Sequence, residues 1–152
     1  MNNGRIKNLS GKDYKYIFTR VPRLCVDVVI ANRDGVLLSR RNIPPYAGRW
    51  YLPGGRVLKD ESLVGAAKRI CRDELGVRAE VIKILGAIEF FTEPRARHFI
   101  THSVSIVFLV QSAGRIIRKS KQASANSFFK LLPKNIPPEV KRFLLTHRHI
   151  WQ

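Results

Sequence analysis

Apolar positions recur along the 152-residue chain with two different periods, and the changes of period mark its elements. Near the start, Tyr14, Ile17 and Phe18 follow Ser10-Gly11-Lys12-Asp13 at helical spacing, which predicts a short helix ended before Pro22. Residues 1–9 carry no such pattern and are expected to form a flexible lead-in. From Leu24 to Ala31 a β-branched run reads as a buried strand, and Asn32-Arg33-Asp34-Gly35 reads as a hairpin turn into a second strand, Val36 to Arg40. Pro44 and Pro45 force a loop. Trp50-Tyr51-Leu52 is a short strand stopped at Pro53-Gly54-Gly55, where glycines permit a backbone that side chains would forbid. Asp60 is the capping candidate for a helix from Glu61 to Leu75, which sets Leu63, Ala66, Ala67 and Ile70 on one face and stops at Gly76. Val81 to Phe91 and Phe99 to Val110 read as strands, Phe128 to Leu132 as a further short one, and Pro137 opens a C-terminal helix through Thr146. This order predicts the α+β class, with helices packed on a mixed sheet in a single domain over residues 1–152.

Charge changes the picture. Twenty-eight Lys plus Arg against eleven Asp plus Glu give a formal charge of +17, so polyanions of any kind are attracted without specificity. A phosphate-rich substrate and nucleic acid both fit that charge, but the chain shows no zinc-finger spacing, basic-zipper heptad or RNA-recognition motif. No apolar run approaches the roughly 20 residues that span a bilayer, and the first residues lack the apolar segment of a secretory signal. A soluble cytoplasmic protein without a membrane partner is expected. Cys25 and Cys71 lie in apolar surroundings and are expected as buried free thiols, neither bridged nor on zinc. The scarce acids are more telling, because Asp60, Glu61, Asp73 and Glu74 put four of the eleven within fifteen residues. Such a cluster in a basic protein calls for a cation.

The central segment reads Gly55, five residues, Glu61, seven residues, then Arg69-Ile70-Cys71-Arg72-Asp73-Glu74-Leu75-Gly76-Val77. Residues four apart on a helix share a face, so Arg69 can pair with Asp73, while Glu74 projects beside it toward the Gly54-Gly55 loop. A glycine-rich loop can bring a backbone carbonyl to a metal, and carboxylates supply the hard oxygens that Mg²⁺ or Mn²⁺ prefers. The segment resembles the Nudix box, G-x5-E-x7-R-E-U-x-E-E-x-G-U with U apolar, at fixed offsets across twenty-three residues. The resemblance implies an α/β/α sandwich with a mixed sheet, whose central loop-helix-loop holds a divalent metal, Mg²⁺ or Mn²⁺, against the diphosphate of a nucleoside diphosphate derivative. It puts Gly54 (through its carbonyl), Glu74 and Asp73 at the metal, with Glu61 and Arg69 bracing loop and helix. One position departs: the box has a glutamate after the arginine, a base or metal ligand in many pyrophosphatases of the family, and here that residue is Ile70.

Within the family, Arg40-Arg41, the loop through Pro45 and Gly48, Trp50 to Val57 and Lys59-Asp60-Glu61 look like the GDP-mannose mannosyl hydrolase branch. That branch lacks the same glutamate and cleaves the sugar carbon–oxygen bond. The resemblance extends to Asp13, Tyr14, Asp27 and Thr101-His102, over about residues 9 to 132. It implies that Arg41, Arg56 and His102 contact the diphosphate, that Asp27 contacts the substrate or the groups behind it, and that two chains pair as a homodimer. An arginine fork suits a phosphate leaving group, because it neutralises charge that grows as the bond breaks. In a late loop the branch carries a glutamine on the metal followed by a histidine base. Here Gln122 takes the glutamine's place and Ala123 follows it, so a base has to come from elsewhere; His98, His102, Glu89 and Glu93 are available. His147 and His149, in a basic tail, read as surface residues. Tyr46, Trp50, Tyr51, Phe90 and Phe91 could hold a base or sugar, although Trp50 and Phe90 read as core. A nucleotide-sugar hydrolase acting on a substrate such as GDP-mannose is the first reading. A pyrophosphatase of another nucleoside diphosphate derivative and a non-catalytic module binding nucleotide or RNA stay open beside it.

Overall fold

The computed structural model describes residues 9–43, 47–91 and 102–152. Ser10 caps the first helix, α1 (Gly11–Phe18), by accepting a hydrogen bond from the Asp13 N–H at 3.1 Å. There follow β1 (Arg23–Val29), β2 (Ala31–Asn32), β3 (Gly35–Arg41), β4 (Trp50–Tyr51), β5 (Gly54–Arg56) and α2 (Leu63–Leu75). The chain continues through β6 (Arg78–Phe91), β7 (His102–Ala113), β8 (Ala123–Phe129) and α3 (Pro138–Thr146).

Two sheets form. One has the order β5-β1-β7-β6, with β1 and β7 parallel and the other pairs antiparallel. In the other, β3 pairs antiparallel with β2, β4 and β8. Alternation along the strands divides the core. Val26, Val28, Phe108 and Val110 pack against Ala66, Ala67, Ile70, Cys71 and Leu75 of α2. Val29 and Val107, on the opposite face, meet Val36 and Leu38 of β3 and Val140 and Leu144 of α3. The β5-β1-β7-β6 sheet is therefore covered on one side by α2 and on the other by the second sheet and α3. This is the expected α+β arrangement of helices on a mixed sheet. Both cysteines are free and buried. Among the described residues no helix is long and apolar enough to cross a membrane.

Three differences from the pattern reading bear on the site. Helix α2 starts at Leu63 and is capped by Ser62, whose hydroxyl accepts from the Gly65 N–H at 2.9 Å; Asp60, the expected cap, sits in a turn at φ 64°. Gly54 and Gly55 belong to edge strand β5 rather than to a loop, because β1 supplies the partner that their own propensity does not. Strand β8 starts at Ala123, earlier than expected, since the polar run Ser124-Ala125-Asn126-Ser127 is made a strand by pairing with β3. Pro44, Pro45 and Phe99 lie outside the described residues.

Candidate active site

Glu61 and Arg69 brace the entrance to α2. Arg69 donates to both Glu61 carboxylate oxygens, at 2.6 and 3.0 Å, and to the Arg56 carbonyl at 2.9 Å. Glu61 also accepts the Leu58 N–H at 3.0 Å. The hydrogen bond from Arg69 holds the Glu61 carboxyl below its ordinary range. Together these bonds tie the segment from Arg56 to Glu61 to α2. The expected helical pair of Arg69 with Asp73 is not made, because the turn at 58–61 brings Glu61 to the guanidinium first; Asp73 bonds the adjacent Arg72 at 3.1 Å on the surface.

Gly54 stands where β5 crosses β1. The Val28 N–H bonds the Pro53 carbonyl and the Val57 N–H bonds the Leu24 carbonyl, so the ladder's alternation turns the N–H and C=O of Gly54 away from β1. The Gly54 N–H is turned toward the Glu74 carboxylate, and its carbonyl opens on the same side. Asp27 is opposite Gly54 in the ladder, and a Cβ on Gly54 would fall 1.7 Å from Asp27 Oδ1 and 2.8 Å from the Val26 carbonyl. Only glycine fits there. Burial pushes Asp27 up to about 7, against the lowering effect of the Ser105 hydroxyl, Arg41 and Arg23. Burial, together with the nearby Asp27, likewise pushes Glu74 up to about 7, against its bond from Gly54 and the charges of Arg41 and Arg69.

These groups line a cleft of about 490 Å³ between the two sheets and the end of α2. Arg41, Arg56, Arg69, Asp73 and Gln122 line it too, so the structure gathers most of the residues named from the sequence. Glu61 stands behind Arg69. The Arg41 guanidinium lies 5.5 Å from the Tyr51 ring centre, with a buried Nε that has no hydrogen-bond partner among the described residues. Arg56 lies over the rings of Tyr14 and Phe18, at 5.4 and 5.7 Å.

His102 is not brought to the cleft. Its Nε2 is 2.7 Å from Glu89 Oε1 and its ring stacks on Phe91 at 4.5 Å. Because Phe91 pairs with His102 and Phe90 with Ser103, the alternation of β6 and β7 sends His102 to one face and Ser103 and Phe90 to the other, where they line the cleft. Ala123 is 3% exposed and is absent from the lining, while Gln122 beside it is present. Trp50 packs edge-on against Phe129 in the core, as read from its position. Tyr46, Glu93, His98 and Thr101 lie outside the described residues.

Sequence reasoning missed Arg23, Ser103 and Ser105. Arg23 donates through Nε to Ser103 Oγ at 3.2 Å and through Nη1 to the Tyr14 hydroxyl, and it forms no ion pair among the described residues. The signal for the serines was present in His102-Ser103-Val104-Ser105-Ile106, where two small polar side chains alternate with larger residues inside a buried strand.

The NUDIX domain model matches residues 21–147, most of the chain and the whole of this site. The chain belongs to the Nudix family. It is 32% identical over 134 residues to the low-salt glycan biosynthesis protein Agl8 of Haloferax volcanii, covering 87% of this chain and 86% of that one. It is 31% identical over 141 residues to an ADP-ribose pyrophosphatase of Methanocaldococcus jannaschii, covering 84% and 80%. A MutT NUDIX hydrolase from Burkholderia pseudomallei superposes with a TM-score of 0.73 at 26% identity, covering 82% of this chain and 97% of the other. The protein is a Nudix hydrolase, and the family works with divalent metal ions. Its residues fit one: the part-buried carboxylates of Asp27 and Glu74 stand beside the Gly54 backbone, and a cation would offset the charge that burial resists. No group of three or more metal-binding side chains stands among the described residues. A small hard divalent ion suits such a site, because it keeps several waters and takes substrate oxygens alongside one or two carboxylates.

Proposed function

We propose that this Nudix hydrolase cleaves a nucleoside diphosphate joined to a sugar, a nucleotide sugar of the GDP-mannose kind, with Mg²⁺ or Mn²⁺ bound. The observation that carries the reading is the grouping of Asp27, Glu74 and the Gly54 backbone opposite Arg41 in one cleft. The carbonyl of Gly54, Glu74, Asp73 and Gln122 would hold the metal, which when bound supplies positive charge to the diphosphate. Arg41 and Arg56 bind the phosphates, and the Nε of Arg41, which has no hydrogen-bond partner among the described residues, can donate to a phosphate oxygen. Tyr51 and Phe90, whose rings are 6.2 Å apart, give the base or sugar an aromatic surface. Cleavage at the sugar carbon is supported by Ile70, which is wholly buried where the box carries an acid that in many relatives acts at phosphorus. The name of the Haloferax relative, a glycan biosynthesis protein, points the same way.

The second reading is pyrophosphatase action on another nucleoside diphosphate derivative, favoured by the likeness to the Methanocaldococcus ADP-ribose pyrophosphatase. One experiment separates them. Incubation with GDP-mannose and, in parallel, ADP-ribose in ¹⁸O-water with Mg²⁺ or Mn²⁺ is expected to put label into free mannose. Label in phosphate rejects carbon–oxygen cleavage. No turnover of either compound across a nucleotide panel, with RNA binding that falls steeply with salt, leaves the non-catalytic module.

A further inference from the structure

We infer that Asp27, on β1, supplies the metal carboxylate that the Nudix box places on α2 at the position of Ile70. The inference rests on the proposed metal site at Gly54 and Glu74 and concerns which side of it the second acid comes from. Gly54 and Gly55 pass between two surfaces. On the α2 side, a Cβ built on Gly55 would lie 3.9 Å from both Glu74 Oε1 and Ile70 Cγ1, so both side chains approach the same glycine. An acid at 70 would reach that glycine from α2 as Glu74 does, but isoleucine is there and is wholly buried. On the β1 side, Asp27 faces Gly54 directly across the ladder, and its Oδ1 rests against the glycine closely enough to exclude any side chain. Both surfaces thus address the same two glycines, and the carboxylate absent from one is present on the other.

Asp27 also meets no bonded cation. Ser105, Arg41 and Arg23 stand around it, yet it makes no ion pair among the described residues. A carboxylate kept in a largely buried cleft without a bonded cation is costly unless something charged is to reach it. The ladder sets that carboxylate against Gly54, in the cleft that Glu74 also lines. Asp27, Glu74 and the Gly54 carbonyl would then form the core of the donor set, with Asp73, Gln122, water and phosphate completing an octahedral ion.

The test is Mn²⁺ binding followed by electron paramagnetic resonance, without nucleotide, in wild type, Glu74→Gln, Asp27→Asn, Asp27→Cys and the double variant Asp27→Asn/Ile70→Glu. Asp27→Asn is expected to weaken Mn²⁺ at least tenfold, and the double variant to recover most of the loss by returning the acid to α2. Should the buried glutamate unfold the double variant, Asp27→Cys decides, because a thiolate at a ligand position weakens Mn²⁺ and gains affinity for soft Cd²⁺ over wild type. Wild-type Mn²⁺ affinity in Asp27→Asn, beside its loss in Glu74→Gln, overturns the role of Asp27 and leaves the metal site standing. Weakening in Asp27→Asn with neither recovery in the folded double variant nor Cd²⁺ gain in Asp27→Cys also overturns it, since that pattern marks a structural aspartate. A wild type that binds no Mn²⁺ overturns the metal site itself.

Discussion

Glu61 and Glu74 lie at the two ends of the same loop and helix, yet the fold treats them in opposite ways. Glu61 meets Arg69 through both carboxylate oxygens and accepts the Leu58 N–H, and its carboxyl is held below the ordinary range. Glu74 faces Asp27 across Gly54 and is pushed up to about 7 by burial and by that neighbour. The first carboxylate is neutralised within the chain and serves as a brace. The second is buried with its charge incompletely matched, which is the state of a group prepared for a cation that arrives from outside.

Removing the charge of Glu74 should separate the two ends most sharply. Glu74→Gln keeps size and the contact with Gly54, and kcat/KM in the presence of Mg²⁺ or Mn²⁺ should fall by about 10²-fold or more while the melting temperature holds or rises. Steady-state kinetics beside a thermal melt checks this, and undiminished turnover would remove Glu74 from the metal. The counterpart at the other end is Glu61→Gln, which leaves the part-buried Arg69 without its full partner. A loss of about 1.5–3 kcal/mol in stability is expected, read by urea unfolding. Unchanged stability would mean that the brace is ornamental.

Opposite pKa directions give opposite pH slopes. Asp27 and Glu74 have folded values of about 7, above their unfolded values, so their contribution favours the metal-free fold at low pH and is lost as pH rises through about 7. Glu61, depressed in the fold, contributes stability above its unfolded value and loses it as pH falls through the folded one. Melting temperatures of the metal-free protein should therefore drop between about pH 5 and pH 8, and Asp27→Asn should flatten that drop; a flat wild-type profile contradicts the burial argument. Added Mn²⁺ should restore the melting temperature most at the alkaline end, where both carboxylates are charged.

The smallest effect belongs to His102. Since β7 turns it away from the cleft and onto Glu89 and Phe91, His102→Ala should change kcat by less than about threefold, under roughly 0.7 kcal/mol of barrier. A loss of two orders of magnitude would bring the diphosphate to this face and revise the direction of the cleft. Ser103→Val, one residue along on the other face, is the matched control and should raise KM by freeing Arg23.

What could be read from the sequence alone was whatever depends on neighbours within one element. The helix with Ala66, Ala67 and Ile70 on one face and Gly76 at its end follows from a period and a stop signal, and the spacing from Gly55 through Glu61 to Glu74 marks the loop and helix proposed to hold the metal. Relations between elements are a different matter. Nothing local says that Arg69 would choose Glu61 eight residues back over Asp73 four residues on, because that choice is made by a turn with Asp60 at positive φ. His102 and Ser103 are adjacent in the chain, and only pairing with Phe91 and Phe90 of β6 decides which of them faces the cleft. Ser105, unremarkable in the sequence, comes beside Asp27 because β1 and β7 run side by side with Cys25 opposite Ser105. The Gly54 backbone is turned toward Glu74 by the alternation of a ladder with β1, and a ladder exists only when the second strand is in place. Helical periodicity is written into a single segment, whereas which face of a strand meets a cleft, and which charge meets which, is fixed by partners distant in the chain.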